Sequence, residues 1–102
     1  MTGHNLALRP IGENDYVVMR DFRPIGRIRL SDERAGLETW NWSITVPLPV
    51  PSSWCVGRAP SMEAAKTAFR AAWEQFYREL TQSDIDHWHR TQDGARERAG
   101  AR

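Results

Sequence analysis

From Trp40 to Val46 the chain alternates large apolar residues (Trp40, Trp42, Ile44, Val46) with small polar ones (Asn41, Ser43, Thr45). A period of two places each set on its own face of a β-strand, here over about 38–46. Ser61 to Leu80 follows another rhythm, with Met62, Ala65, Phe69, Ala72, Trp73, Phe76 and Leu80 on one stripe. Glu63, Thr67, Arg70, Glu74 and Arg78 lie opposite, which is the wheel of an amphipathic helix packed on one side. Ser61 is its N-cap, and Glu63 suits the positive end of the helix dipole.

Two further strands precede Trp40. Tyr16-Val17-Val18-Met19-Arg20 is rich in β-formers and predicts a strand over about 16–22. Arg27-Ile28-Arg29-Leu30 alternates charge with aliphatic and predicts another over about 25–31, one face wet and one dry. Short connections between the three imply an antiparallel meander, because parallel neighbours need a long crossover. Pro47, Pro49 and Pro51 end the third strand and make a stiff connector toward the helix. A short second helix is expected over about 84–90, with Ile85 and Trp88 inward. Residues 1–14, with Gly3, Pro10 and Gly12, read as a mobile arm, and 91–102 as a disordered tail. The expected fold is therefore α+β: one domain over 15–90, a three-stranded antiparallel sheet covered on one face by the helix 61–80.

Composition narrows the function classes without choosing one. With 102 residues, 40% hydrophobic and 26% charged, the chain suits one modest core. It has no apolar run of the roughly 20 residues a membrane helix needs. Its first ten residues lack the basic start and apolar stretch of a secretory leader, so no membrane association and a cytoplasmic location are expected. The single cysteine, Cys55, excludes an internal disulfide and a multi-cysteine zinc site. Net charge is only +1, yet of the 14 basic residues Lys66 is the one lysine. Arginine suits phosphates and base edges, but arginine in company with alanine runs such as Ala64-Ala65 and Ala71-Ala72 is also how a GC-rich genome writes its cations.

Candidate chemistry is sparse. Asp84, Asp86, His87 and His89 are metal-ligand types close together, but zinc pairs on a helix sit at i,i+4, and His87 and His89 would point about 200° apart. Cys55 lacks a histidine nearby in sequence to activate it, and no phosphate-cradling glycine loop or nucleophile elbow is present. Neither an enzyme, nor a bound metal, nor a cofactor is expected. If Ile28, Leu30, Trp40, Trp42, Ile44 and Val46 face the helix, then Arg27, Arg29 and Asn41 face solvent, with Arg20, Arg23 and Arg34 around the same hairpins. Arginine and asparagine read guanine and adenine edges, and a sheet can enter the major groove, which makes this face a candidate DNA-binding surface. Trp54 and Trp88 lie outside the expected core, and with Val50 they form a candidate patch for a protein partner or a homodimer.

The expected topology, a three-stranded meander backed by a C-terminal helix, resembles the DNA-binding domain of plant AP2 factors and the arm-binding domain of tyrosine recombinases. Separately, Gly26-Arg27-Ile28, Trp40-Asn41-Trp42-Ser43-Ile44-Thr45 and Ala68-Phe69-Arg70-Ala71-Ala72-Trp73 resemble small uncharacterised proteins of alphaproteobacteria. That likeness covers roughly 16–80 and implies a shared fold, and it brings no activity. The expectation from sequence is a non-enzymatic binding or interaction module, with DNA binding through the outer sheet face as the alternative.

Overall fold

The alternation at Trp40 lies inside an antiparallel sheet of five strands rather than three. The computed structural model describes residues 5–34 and 36–100, with the side chains of 32–34 and 96–100 outside that description. In chain order the elements are β1 (Leu6–Gly12), β2 (Asp15–Arg20), β3 (Arg23–Arg34), β4 (Leu37–Ile44), β5 (Val56–Ala59), α1 (Met62–Arg78) and α2 (Gln82–Gly100). The strands lie side by side in that same order, each antiparallel to the next. The class is α+β, and the expected meander corresponds to the middle of the sheet, with β1 and β5 added at its two edges.

Turn chemistry sets the tight reversals. Asp21 and Phe22 join β2 to β3 with φ of 51° and 65°. Positive φ at both central residues is the mirror-image turn whose twist matches that of the flanking strands. The β4–β5 link bends back so that the Cys55 carbonyl accepts from the Ile44 amide at 2.9 Å. The proline connector therefore returns the chain to the sheet as β5 before α1 begins.

Parity along the strands makes one face apolar. Val18, Ile28, Trp40, Trp42, Ile44 and Ala59 are buried against Ala65, Phe69, Ala72, Trp73 and Phe76 of α1. Ser61 caps α1, its Oγ accepting from the Ala64 amide at 3.1 Å. Glycine permits the closest approach of helix to sheet: a Cβ on Gly26 would overlap the Phe69 ring and the Ser43 carbonyl. The helix packs over β3, β4 and β5.

Both expected disordered ends contain structure. Leu6–Gly12, expected as part of an arm, pairs with β2 in continuous register from Leu6↔Arg20 to Pro10↔Tyr16. Residues 1–4 and 101–102 lie outside the described residues. The second helix, expected over 84–90, runs from Gln82 to Gly100. It starts with a reciprocal cap in which Thr81 Oγ1 accepts from the Asp84 amide and Asp84 Oδ2 from the Thr81 amide. Trp88 then inserts fully, with 0% exposure, and meets Trp73 edge-to-face. One turn on, the Arg23 guanidinium donates to both Asp93 carboxylate oxygens at 3.1 and 3.3 Å, and Gln92 Nε2 donates to the Pro24 carbonyl at 2.8 Å. Contacts to α1 and to the start of β3 thus hold a helix whose own sequence has little amphipathic character.

Candidate functional site

The face of the sheet turned away from α1 carries the strongest chemical signal. Strand register aligns two rows across it. One row runs Asp15, Arg29, Asn41, Arg58 over β2 to β5, and the next runs Arg9, Val17, Arg27, Ser43, Val56 over β1 to β5. Arg9, Arg27, Arg29 and Arg58 are all exposed. Within each row the two arginines are two strands apart, about 10 Å, and the rows themselves are about 7 Å apart. Four guanidinium groups therefore form a checkerboard on one surface.

Among the described side chains, Asp15 is the carboxylate paired with them. Asp15 receives Arg27 Nε on Oδ1 at 2.9 Å and Arg27 Nη2 on Oδ2 at 2.6 Å, a bidentate fork. That hydrogen bond holds the Asp15 carboxyl below its ordinary range; burial works against the shift, and the charges of Arg27 and Arg29 reinforce it. Among the described residues Arg9, Arg29 and Arg58 make no ion pair. Asn41 sits between Arg29 and Arg58 in register, its Oδ1 buried and without a hydrogen-bond partner.

The structure divides the sequence candidates. Arg27, Arg29 and Asn41 share this face. Arg20 does not, because its row is that of Leu6 on the helix side, where its guanidinium lies 4.5 Å from the Tyr77 ring centroid and 3.5 Å from Asp21. Arg23 is committed to Asp93 and Gln92 of α2. The side chain of Arg34 lies outside the described residues. Arg9 and Arg58 complete the checkerboard and were missed, because each belongs to an edge strand too short or too punctuated to read. The signal for them was a single apolar–polar alternation, Leu8-Arg9 and Val56-Gly57-Arg58-Ala59.

The structure splits the tryptophan patch and removes Trp88 from the surface. Trp88 is wholly buried, and Val50 and Trp54 are half-buried against the core, Trp54 lying 6.5 Å from Phe76 between ring centroids. The Asp84–His89 cluster is dispersed. Asp84 caps α2, Asp86 Oδ1 accepts from Gln82 Nε2 at 2.9 Å, His87 is exposed, and His89 turns toward Trp88. Among the described residues no three histidine, cysteine or acidic side chains converge. Cys55 has 0% exposure, and burial, with the Glu79 charge adding to it, pushes its thiol up, away from the thiolate a nucleophile requires. Among the described residues no helix is long and apolar enough to cross a membrane. No family model, curated protein or solved structure matches this chain.

Proposed function

We propose that this chain is a non-enzymatic binding module that engages the phosphate backbone of duplex DNA through the outer face of its sheet. The observation that carries the reading is the register alignment of the exposed Arg9, Arg27, Arg29 and Arg58 on one surface, where among the described side chains only Arg27 is held by a carboxylate, that of Asp15. A net charge of +1 is compatible with it, since counterion release depends on local cations and not on the total.

Width decides which part of the duplex is met. Five strands span about 19 Å between edge-strand axes at about 4.8 Å per spacing. The major groove is about 12 Å wide. A sheet this broad rests across the phosphates instead of entering the groove as a narrow ribbon, so Arg29 and Asn41 serve position more than base readout. The rows contain no aromatic side chain, and single strands are held chiefly by stacking on such rings. Duplex is the better fit.

Binding of a labelled mixed-sequence duplex, followed by anisotropy across a salt series, tests the reading. Three to four phosphate contacts correspond to a log–log salt slope of about −2.7 to −3.6. The variant Arg9→Ser/Arg29→Ser/Arg58→Ser should lose most affinity and flatten that slope, whereas duplexes of different sequence bind the wild type alike. Absence of binding at low salt, or a triple variant that binds as the parent does, overturns it.

A further inference from the structure

Among the described residues, the opposite face of the sheet is only half covered. Because α1 packs on β3, β4 and β5, the inner side chains of β1 and β2 border an open trough of about 530 Å³. Its floor is apolar: Leu6, Leu8, Val18, Ile28 and the edge of Phe69. Its wall is the flank of α1. The charged groups on that wall are substantially exposed and pair with one another along the helix, Glu63 with Lys66 and Arg70 with Glu74.

The dimensions match one helix. From β1 to β3 is about 10 Å, two strand spacings, and packed helix axes lie 8–10 Å apart, so about one helix fits beside α1 over β1 and β2. The middle of the wall is formed by Thr67 and Ala71, both exposed and small enough to let a second helix approach. The chain does not fill this space with α2, which is drawn to Trp73 and to the Arg23–Pro24 end of β3.

Charge selects among occupants. Along the wall the order is acid, base, base, acid: Glu63 with Lys66 at 2.8 Å, then Arg70 with Glu74 at 3.8 Å. A second copy meeting this flank across a two-fold axis sets like upon like: antiparallel, Glu63 would face Glu74 and Lys66 would face Arg70, and parallel, each would face its own counterpart. A foreign helix whose flank reads base, acid, acid, base meets opposite charge at all four places, in either direction. We propose that the trough is the seat of one amphipathic helix from another protein, with an apolar stripe on Leu6, Leu8 and Val18 and that charge order toward α1. This is helix-in-groove recognition, and it lies on the face opposite the arginine checkerboard, so the two ligands do not compete.

The test uses the isotope-labelled full chain and two synthetic 18-residue peptides of equal composition. Both carry a leucine stripe; one presents Lys-Glu-Glu-Lys along its flank, the other Glu-Lys-Lys-Glu. The first should shift the amides of Leu6, Leu8, Thr67 and Ala71 and bind about tenfold tighter than its charge-reversed twin. Ala71→Trp, at an exposed helix position, should block that binding and leave thermal unfolding and DNA affinity unchanged. Equal binding of both peptides, binding of neither, shifts confined to Arg9, Arg29 and Arg58, or a dimer whose dilution moves the Leu6 and Leu8 signals each overturns the proposal.

Discussion

The Trp88 indole meets the Trp73 indole edge-to-face, with ring centroids 5.7 Å apart and planes at 77°, and both rings have 0% exposure. Trp73 belongs to α1 and Trp88 to α2, so this contact joins the last helix to the core. Trp88→Ala should cost about 3–5 kcal/mol, the range for deleting a buried large aromatic. Trp54→Ala should cost less, because Trp54 is only half-buried. Urea unfolding of the two variants gives the comparison, and helical signal should fall with Trp88→Ala because α2 loses its anchor. Equal losses in both would mean that α2 is held by its polar contacts instead.

Close packing of helix on sheet makes a second, local expectation. A methyl group on Gly26 would meet the Phe69 ring and the Ser43 carbonyl, whereas one on Gly12 finds its nearest neighbour, Asp15 Cβ, at an ordinary 3.8 Å. Gly26→Ala should therefore destabilise by about 1–3 kcal/mol through overpacking. Gly12→Ala should be close to neutral. Adding Phe69→Leu to Gly26→Ala should recover part of the loss relative to the sum of the single changes, a coupling that unfolding of the four proteins measures. Strict additivity would show that Phe69 does not rest on Gly26.

Residues whose partners are near in sequence, or whose pattern repeats, were the legible ones. Trp40-Asn41-Trp42-Ser43 and the Met62–Leu80 stripe declare strand and helix through their periods, and parity alone placed Arg27, Arg29 and Asn41 on one face. The strand β1 has only Leu6 and Leu8 as inward apolar residues before Pro10 and Gly12 interrupt it, so its strand character comes from pairing with β2. Likewise β5 is four residues long and gains its place because Gly57 lets the Trp42 ring lie against the backbone, with 2.8 Å to a notional Cβ. Trp88 looked peripheral since its ring partner, Trp73, lies on another helix, and the Arg23–Asp93 clamp that helps to hold α2 joins residues far apart in the chain. A register shift between Val18 and Met19 puts Arg20 and Arg23 opposite each other on the helix side, where no period could have placed both.

Acid should weaken the docking of α2. His89 lies beside Trp88 with its Nε2 buried and without a hydrogen-bond partner. Burial, then the charges of Arg23 and Arg20, hold its pKa below 6.5, and Asp93 and Asp86 oppose the shift. The unfolded chain thus takes up this proton at a higher pH than the native state does. The associated stability is present above 6.5 and is lost as the pH falls through the depressed native value. Unfolding free energies at about pH 7.5 and about pH 5.5 should differ more for the wild type than for His89→Gln. The Asp15 carboxyl, also held low, contributes its own loss only at a lower pH, below 3.8, and stays outside this window. Identical pH dependence in the two proteins would show that His89 keeps its charge solvated in the native state.

Phe22 carries conformational strain with no compensating burial. It occupies the second central position of the β2–β3 turn at φ 65° and is 92% exposed. A left-handed backbone costs a bulky residue roughly 1–2 kcal/mol, and glycine escapes that cost while losing some entropy on folding. Asp-Gly is also among the favoured pairs for this turn, and Asp21 is already in place. Phe22→Gly should therefore stabilise the domain by about 1 kcal/mol, raising Tm by about 4–8 °C for a chain of this size. Phe22→Asn should give a smaller gain, and Phe22→Val should lose stability because a β-branched side chain is worse still at positive φ. Calorimetry of the three variants orders them. A fall in Tm for Phe22→Gly would mean that the phenyl ring makes contacts in solution that outweigh its backbone strain, and the hairpin would then need a partner for that ring.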